Sequence, residues 1–142
     1  MKSDNERFVR RFVEDVINLG ETDLLPAFVA SDHIGHDPLG DHYGPEGVRI
    51  SITELRLAFP DLRVTIEDVI VARDLVAHRF TLRGTHRDTY LGLPATGRAV
   101  VTTGIAIDRI VSGRLAESWL TIDALALFRQ VGAVPMPVRC SN

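Results

Sequence analysis

Cysteine is nearly absent: the 142-residue chain has one, Cys140, close to its end. A lone thiol cannot build a disulfide framework within the chain or supply paired CxxC metal ligands, and the composition suits a reducing cytoplasm. No apolar run is long enough to span a bilayer. The opening Met1-Lys2-Ser3-Asp4-Asn5-Glu6-Arg7 is partly acidic and no long apolar block follows it, so it does not read as a signal peptide. Excess positive charge is also missing. Sixteen Lys+Arg stand against nineteen Asp+Glu, a net charge of −3, which argues against nucleic acid as a partner. GxGxxG, Walker A, GxSxG and HExxH are all absent, which removes the usual dinucleotide, nucleotide, serine-hydrolase and zinc-protease signatures. Any chemistry must come from His, Asp, Glu, Arg or Tyr, or from the substrate itself.

What is present is an ordinary globular balance, 45% hydrophobic and 25% charged, of a length that suits one domain over residues 1–142. A chain of this size buries roughly 70% of its unfolded surface and needs no covalent staple. Phe8, Phe12, Val13, Val16 and Leu19 recur at helical spacing after a Ser3 or Asp4 cap, and Gly20 is a natural stop. A short helix opens at Thr22-Asp23. Residues 31–44 read as a loop crowded with Asp and His. A third helix is predicted from Pro45 to Phe59.

The period then changes to two. Leu62, Val64 and Ile66 alternate with polar residues, the alternation breaks near Asp68-Val69 as at a bulge, and Val76, His78, Phe80 and Leu82 start a second strand. Long strands are predicted over Ala99–Ile110 and Arg114–Thr121, joined by a Ser112-Gly113 turn, with a short strand at Arg87–Leu91 and a last helix over Asp123–Val131. Helices first and strands later indicate an α+β fold with an antiparallel meander. If that sheet curls round its helices, it leaves a cavity for an apolar ligand.

The second half carries a recognisable string. It runs Gly84-Thr85-His86, Tyr90-Leu91-Gly92-Leu93-Pro94-Ala95-Thr96-Gly97-Arg98, Gly104-Ile105-Ala106-Ile107-Asp108-Arg109-Ile110 and Gly113-Arg114-Leu115-Ala116-Glu117-Ser118-Trp119. The first half adds Asn18-Leu19-Gly20, Gly44-Pro45-Glu46-Gly47 and Ala58-Phe59-Pro60-Asp61-Leu62. Together these resemble the SnoaL-like polyketide cyclase/hydroxylase family over roughly residues 6–132. The resemblance implies a cone-shaped α+β barrel of the nuclear transport factor 2 type, no cofactor, no metal, and an aromatic, anthracycline-type polyketide as substrate.

Cyclases of this family close a ring by intramolecular aldol condensation. They use an aspartate on the last strand as acid/base and a histidine opposite on the preceding strand. In an ungapped carry-over these positions fall on Leu120 and Ala106, neither of which can move a proton. The resemblance therefore points first to the hydroxylase branch: a cofactor-independent oxygenase in which an electron-rich aromatic itself reduces dioxygen. An aldol cyclase with a relocated acid/base and a non-catalytic binder of aromatic ligands remain as alternatives.

Asp123, His36 and His86 are the candidate catalytic residues. Asp123 is the carboxylate nearest the vacated acid position, though it also suits a helix N-cap. His36, in His36-Asp37-Pro38, matches a position where the family often has a cavity histidine, and His86 follows a strand in Gly-Thr-His. Candidate substrate-binding residues are Tyr43, His78, Arg79, Ala106, Trp119 and Leu120. His78 lies on an apolar strand face. Trp119 should point away from the cavity if Leu120 points into it. Asp32, His33, His36, Asp37, Asp41 and His42 offer an iron-like ligand set, but these residue types also favour loops and caps. Apolar Val101, Ile105 and Ile107 on the far side of the sheet predict a homodimer or larger homo-oligomer.

Overall fold

Ser3 caps the first helix, its Oγ accepting from the Glu6 amide at 3.1 Å. Helix α1 spans Asp4–Arg11 in the computed structural model, which describes residues 1–134. The Val134-Pro135-Met136-Pro137 segment, expected to pack on a neighbour or stay mobile, lies outside the described residues beyond Val134. The same helical cylinder continues in π geometry over Phe12–Asn18. Its end is closed from outside: the Arg56 guanidinium donates to the Ile17 and Asn18 carbonyls at 2.9 and 2.6 Å, satisfying carbonyls that no later turn could reach. Asn18 then ties this end to a strand, accepting from Val64 N at 2.7 Å and donating to Val64 O at 2.9 Å.

A 3₁₀ turn at Thr22–Leu24 leads into α2, Leu25–Phe28, with Pro26 tolerated in its first turn. Where the sequence reads as a loop, the chain instead forms a hairpin of β1 (Val29–Asp37) and β2 (Gly40–Tyr43). Helix α3 follows at Gly44–Ala58. Then come β3 (Arg63–Ala72), β4 (Leu75–Thr85), β5 (Ala99–Val111), β6 (Arg114–Ile122) and α4 (Ala124–Gln130). The expected short strand at 87–91 reduces to one isolated bridge, Tyr90 to Leu93, because Leu91 and Gly92 both take positive φ.

The six strands form one curled sheet in the order β2-β1-β6-β5-β4-β3, left open between the edges β2 and β3. The meander is antiparallel as expected, but β1 runs parallel to β6, its neighbour across the sheet. The register shift between Ile66 and Asp68 is the bulge anticipated from the broken alternation. Ser112 and Gly113 both adopt left-handed φ, as a tight hairpin turn between β5 and β6 requires.

Helices cover one face of the sheet. Val9, Val16, Val48 and Ile52 from the helices meet Val76, Ile110 and Leu115 from the strands. A second cluster joins Val13, Phe59, Phe80, Leu82, Val100 and Leu127. Full burial of each such side chain stabilises the fold by about 1.5–3 kcal/mol. Among the described residues no helix is long and apolar enough to cross a membrane.

Candidate active site

The curl leaves a cavity of about 200 Å³ between the helical layer and the inner face of the sheet. Phe12, Val13 and Ile17 of the π segment and Ile52 and Leu55 of α3 form one wall; Val64, Phe80, Leu82, Ala106, Leu115, Leu120 and Ile122 form the opposite one. Leu39 lines the cavity and is also 63% exposed, which places the β1–β2 turn at its mouth.

Polar groups cross this apolar wall in one stripe. Inward positions alternate along each strand, and paired residues share a face. Asp108 pairs with Ser118 across β5–β6, Ser118 with Gly35 across β6–β1, and Gly35 with His42 across β1–β2. His33, two residues before Gly35, shares its face, as does His78, whose partner on β5 is Ala106. His42, His33, Ser118, Asp108 and His78 all line the cavity.

Two pairs within the stripe are hydrogen-bonded. His78 Nε2 lies 3.0 Å from Asp108 Oδ2, with both residues buried. A carboxylate only accepts, so Nε2 carries a proton, and in the neutral ring Nδ1 presents a lone pair. That Nδ1 is buried with no partner among the described residues. His33 Nε2 lies 3.0 Å from Ser118 Oγ, and its Nδ1 is likewise buried and unpartnered. Burial, with the neighbouring His42 adding to it, pushes the His33 pKa below its ordinary value. His42 Nδ1 and Asp37 Oδ2 approach to 3.3 Å without a hydrogen bond. Tyr90 also lines the cavity, and its phenol is pushed up to about 12 by burial and by the Asp37 and Glu54 carboxylates.

The residues singled out by sequence are dispersed. His78, Ala106 and Leu120 line the cavity from the inner face, and His36 and Trp119 are also among its lining residues. Asp123 is instead the N-cap of α4, its carboxylate accepting from Ala126 N at 3.0 Å, and it borders a groove on the outer face. Its carboxylate thus serves the cap. His36 pairs with Trp119 and stacks on it, while Trp119 pairs with the exposed Ile107, so strand parity turns all three toward the outer face and His36 and Trp119 reach only the cavity's edge. There His36 donates from Nδ1 to Asp41 and from Nε2 to Glu117, both at 2.8 Å, and these bonds raise its pKa. Arg79 is paired with Asp68 outside, and Tyr43 is 65% exposed on the edge strand. His86 is buried away from the cavity wall, stacked on Phe59 with Nδ1 3.0 Å from Thr96 Oγ1.

Asp108, Ser118, His33 and His42 were not among the chosen candidates. A signal existed for Asp108: with Val101, Ile105 and Ile107 facing outward, alternation sends Asp108 inward, a charged side chain aimed at the core.

A model of the SnoaL-like polyketide cyclase family matches residues 7–131. The chain belongs to that family. It is 30% identical over 131 residues to aklanonic acid methyl ester cyclase DauD of Streptomyces sp. (strain C5), covering 87% of this chain and 79% of DauD. Among solved structures it resembles IdmH of Streptomyces antibioticus, assigned as a polyketide cyclase, with a TM-score of 0.80 and 29% identity over 92% of this chain and 99% of IdmH. AclR of Streptomyces galilaeus, assigned as a hydroxylase, superposes with a TM-score of 0.80 over 93% of this chain and 98% of AclR. At 20% identity the likeness to AclR shows the fold alone.

Proposed function

We propose that this SnoaL-like protein closes a ring of an aromatic polyketide by intramolecular aldol condensation, with His78 as general base and Asp108 as the group that orients it. The carrying observation is the hydrogen-bonded His78–Asp108 pair set into an apolar cavity, with His78 Nδ1 unpartnered. Nδ1 takes a proton from a carbon flanked by carbonyl groups, the enolate carbon attacks a second carbonyl of the same molecule, and the new alkoxide takes up a proton. One C–C bond forms, and no oxidant, reductant or leaving group is involved. Asp108 holds the tautomer and stabilises the imidazolium that forms. The low-polarity wall strengthens both effects.

This reading places the relocated acid/base of the cyclase alternative on β4 and β5 rather than on Asp123. The named cyclase at 30% identity supports it over the oxygenase reading, for which the 20% identical AclR offers a likeness of fold alone. The cavity is smaller than the roughly 300–1,000 Å³ of drug-sized pockets. A fused-ring guest therefore keeps its reacting end inside and its remainder at the mouth. The exposed Val101, Ile105 and Ile107 support assembly of the enzyme as a homo-oligomer.

Aklanonic acid methyl ester is the test substrate. Incubation without oxygen should yield an isomer of unchanged mass. A product formed only with labelled dioxygen and carrying the label would move the assignment to an oxygenase. Tight binding without conversion would make the protein a carrier.

A further inference from the structure

We propose that His33 and Ser118 act together as the hydrogen-bond donor that grips the carbonyl oxygen under attack in the ring closure proposed above. His33 is 1% exposed, lines the cavity, and leaves Nδ1 without a partner among the described residues. Buried imidazole nitrogens are rarely left unpaired; His86 Nε2 is another, but it lies away from the cavity, whereas His33 belongs to the cavity wall and can offer its nitrogen to a ligand atom there.

The His33 Nε2···Ser118 Oγ bond of 3.0 Å has two tautomeric forms. If Ser118 donates, the imidazole hydrogen sits on Nδ1. If His33 donates from Nε2, the Ser118 hydroxyl hydrogen is free. In either form the pair has exactly one hydrogen left to give, and both residues face the cavity. Ser118 is also the cross-strand partner of Asp108. The strand register thus sets this donor beside the His78–Asp108 base on the same inner face. A carbon acid at His78 and a carbonyl at His33–Ser118 are the two partners an aldol closure needs. Because His33 is held neutral, it lends its hydrogen without adding a cation that would compete for the base.

A flat aromatic ketone, fluorenone, separates this idea from the overall reaction. In the unaltered protein its carbonyl infrared band should move to lower frequency on binding. The double variant His33→Leu/Ser118→Ala removes both hydrogens. In it the shift should vanish and ring closure of aklanonic acid methyl ester should fall on the order of 10²-fold. Exchange of the substrate's acidic carbon-bound hydrogen with deuterated solvent, which needs only the base, should stay within about threefold. Ser118→Ala should weaken both the shift and closure, and Ser118→Thr, which keeps a hydroxyl, should recover part of each, so the comparison survives if the double variant does not fold. An unchanged band in the double variant, undiminished closure, or loss of exchange in step with closure would each overturn the donor pair. A shifted ketone band in an unaltered protein that closes no ring would uphold the donor and count against the cyclase reading alone.

Discussion

His33 and His36 stand three residues apart on β1 and face opposite sides of the sheet, one buried against Ser118 and the other held between Asp41 and Glu117. Their environments push them in opposite directions from 6.5: His33 downward by burial, His36 upward by two carboxylate hydrogen bonds. Proton-detected titration should show two resonances moving apart, His33 remaining neutral below 6.5 and His36 remaining charged above it. The stability consequences have opposite signs. The His36 contribution is fully present below the unfolded value and is lost as pH rises through the raised folded value. The His33 contribution is present above 6.5 and is lost as pH falls below it. Urea midpoints measured across this window should show the alkaline loss disappear in His36→Gln. An unchanged alkaline slope in that variant would mean the outer triad is not formed in solution.

The His78–Asp108 pair should be far more sensitive to substitution than Asp123. His78→Gln or Asp108→Asn is expected to slow ring closure on the order of 10²–10⁴-fold. Asp108→Asn replaces an acceptor-only partner by an amide that permits the wrong imidazole tautomer. Each change should also destabilise the fold by about 1–3 kcal/mol, the cost of leaving a buried polar group unpaired. Asp123→Ala should lower stability by about 1 kcal/mol through loss of the α4 cap, with closure little changed. Steady-state rates beside denaturation curves separate the two cases. A rate loss in Asp123→Ala comparable to that in His78→Gln would return the base to Asp123.

Much of the architecture was legible because its patterns are regular. The alternation of Val76, His78, Phe80 and Leu82, the break at Asp68, and the Ser112-Gly113 turn each recur in β4, β3 and the β5–β6 hairpin. The β1–β2 hairpin was not legible. Its inward residues His33, Gly35 and His42 are polar or lack a side chain, so the strand shows no apolar alternation and reads as a loop. The same feature hid the site. Inward polar residues on β1, β5 and β6 serve a cavity rather than a packed core, and a pattern search tuned to apolar faces passes over them. Asp123 is suggested by proximity in sequence to a family position and His36 by a match to one, whereas the cap and the strand parity decide where they point.

Tyr90 offers a spectroscopic probe of the cavity. The chain has two tyrosines, so Tyr43→Phe leaves Tyr90 as the sole phenol. Its ultraviolet ionisation should have a midpoint near the about 12 set by burial and by Asp37 and Glu54, above the ordinary 10.0. A phenol held neutral in the fold loses that stabilisation as pH rises past the unfolded value, so the variant should become easier to unfold from about pH 10 upward. Glu54→Gln removes one of the two opposing carboxylates and should lower the midpoint. An ionisation at the ordinary value in the folded protein would mean that Tyr90 stands in solvent, outside the cavity.

The outer face of the sheet sets the expectation for assembly. Val101, Ile105 and Ile107 are 43%, 55% and 39% exposed, and they alternate along β5 on the side opposite the cavity. Trp119 lies beside Ile107 with the Arg109 guanidinium 6.0 Å above its ring, so the patch has an apolar centre and a charged margin. Such a face, left in water, forgoes stabilisation of about 25 cal/mol for each Å² that a partner could cover. A two-fold axis would bring the same patch on two copies together. Light scattering at tens of micromolar should therefore give a mass above the 15.7 kDa of one chain. Ile105→Glu/Ile107→Glu places like charges across that axis and should reduce the mass to a single chain, with the cavity and the His78–Asp108 pair intact and ring closure retained. A monomeric unaltered protein would leave this face bare.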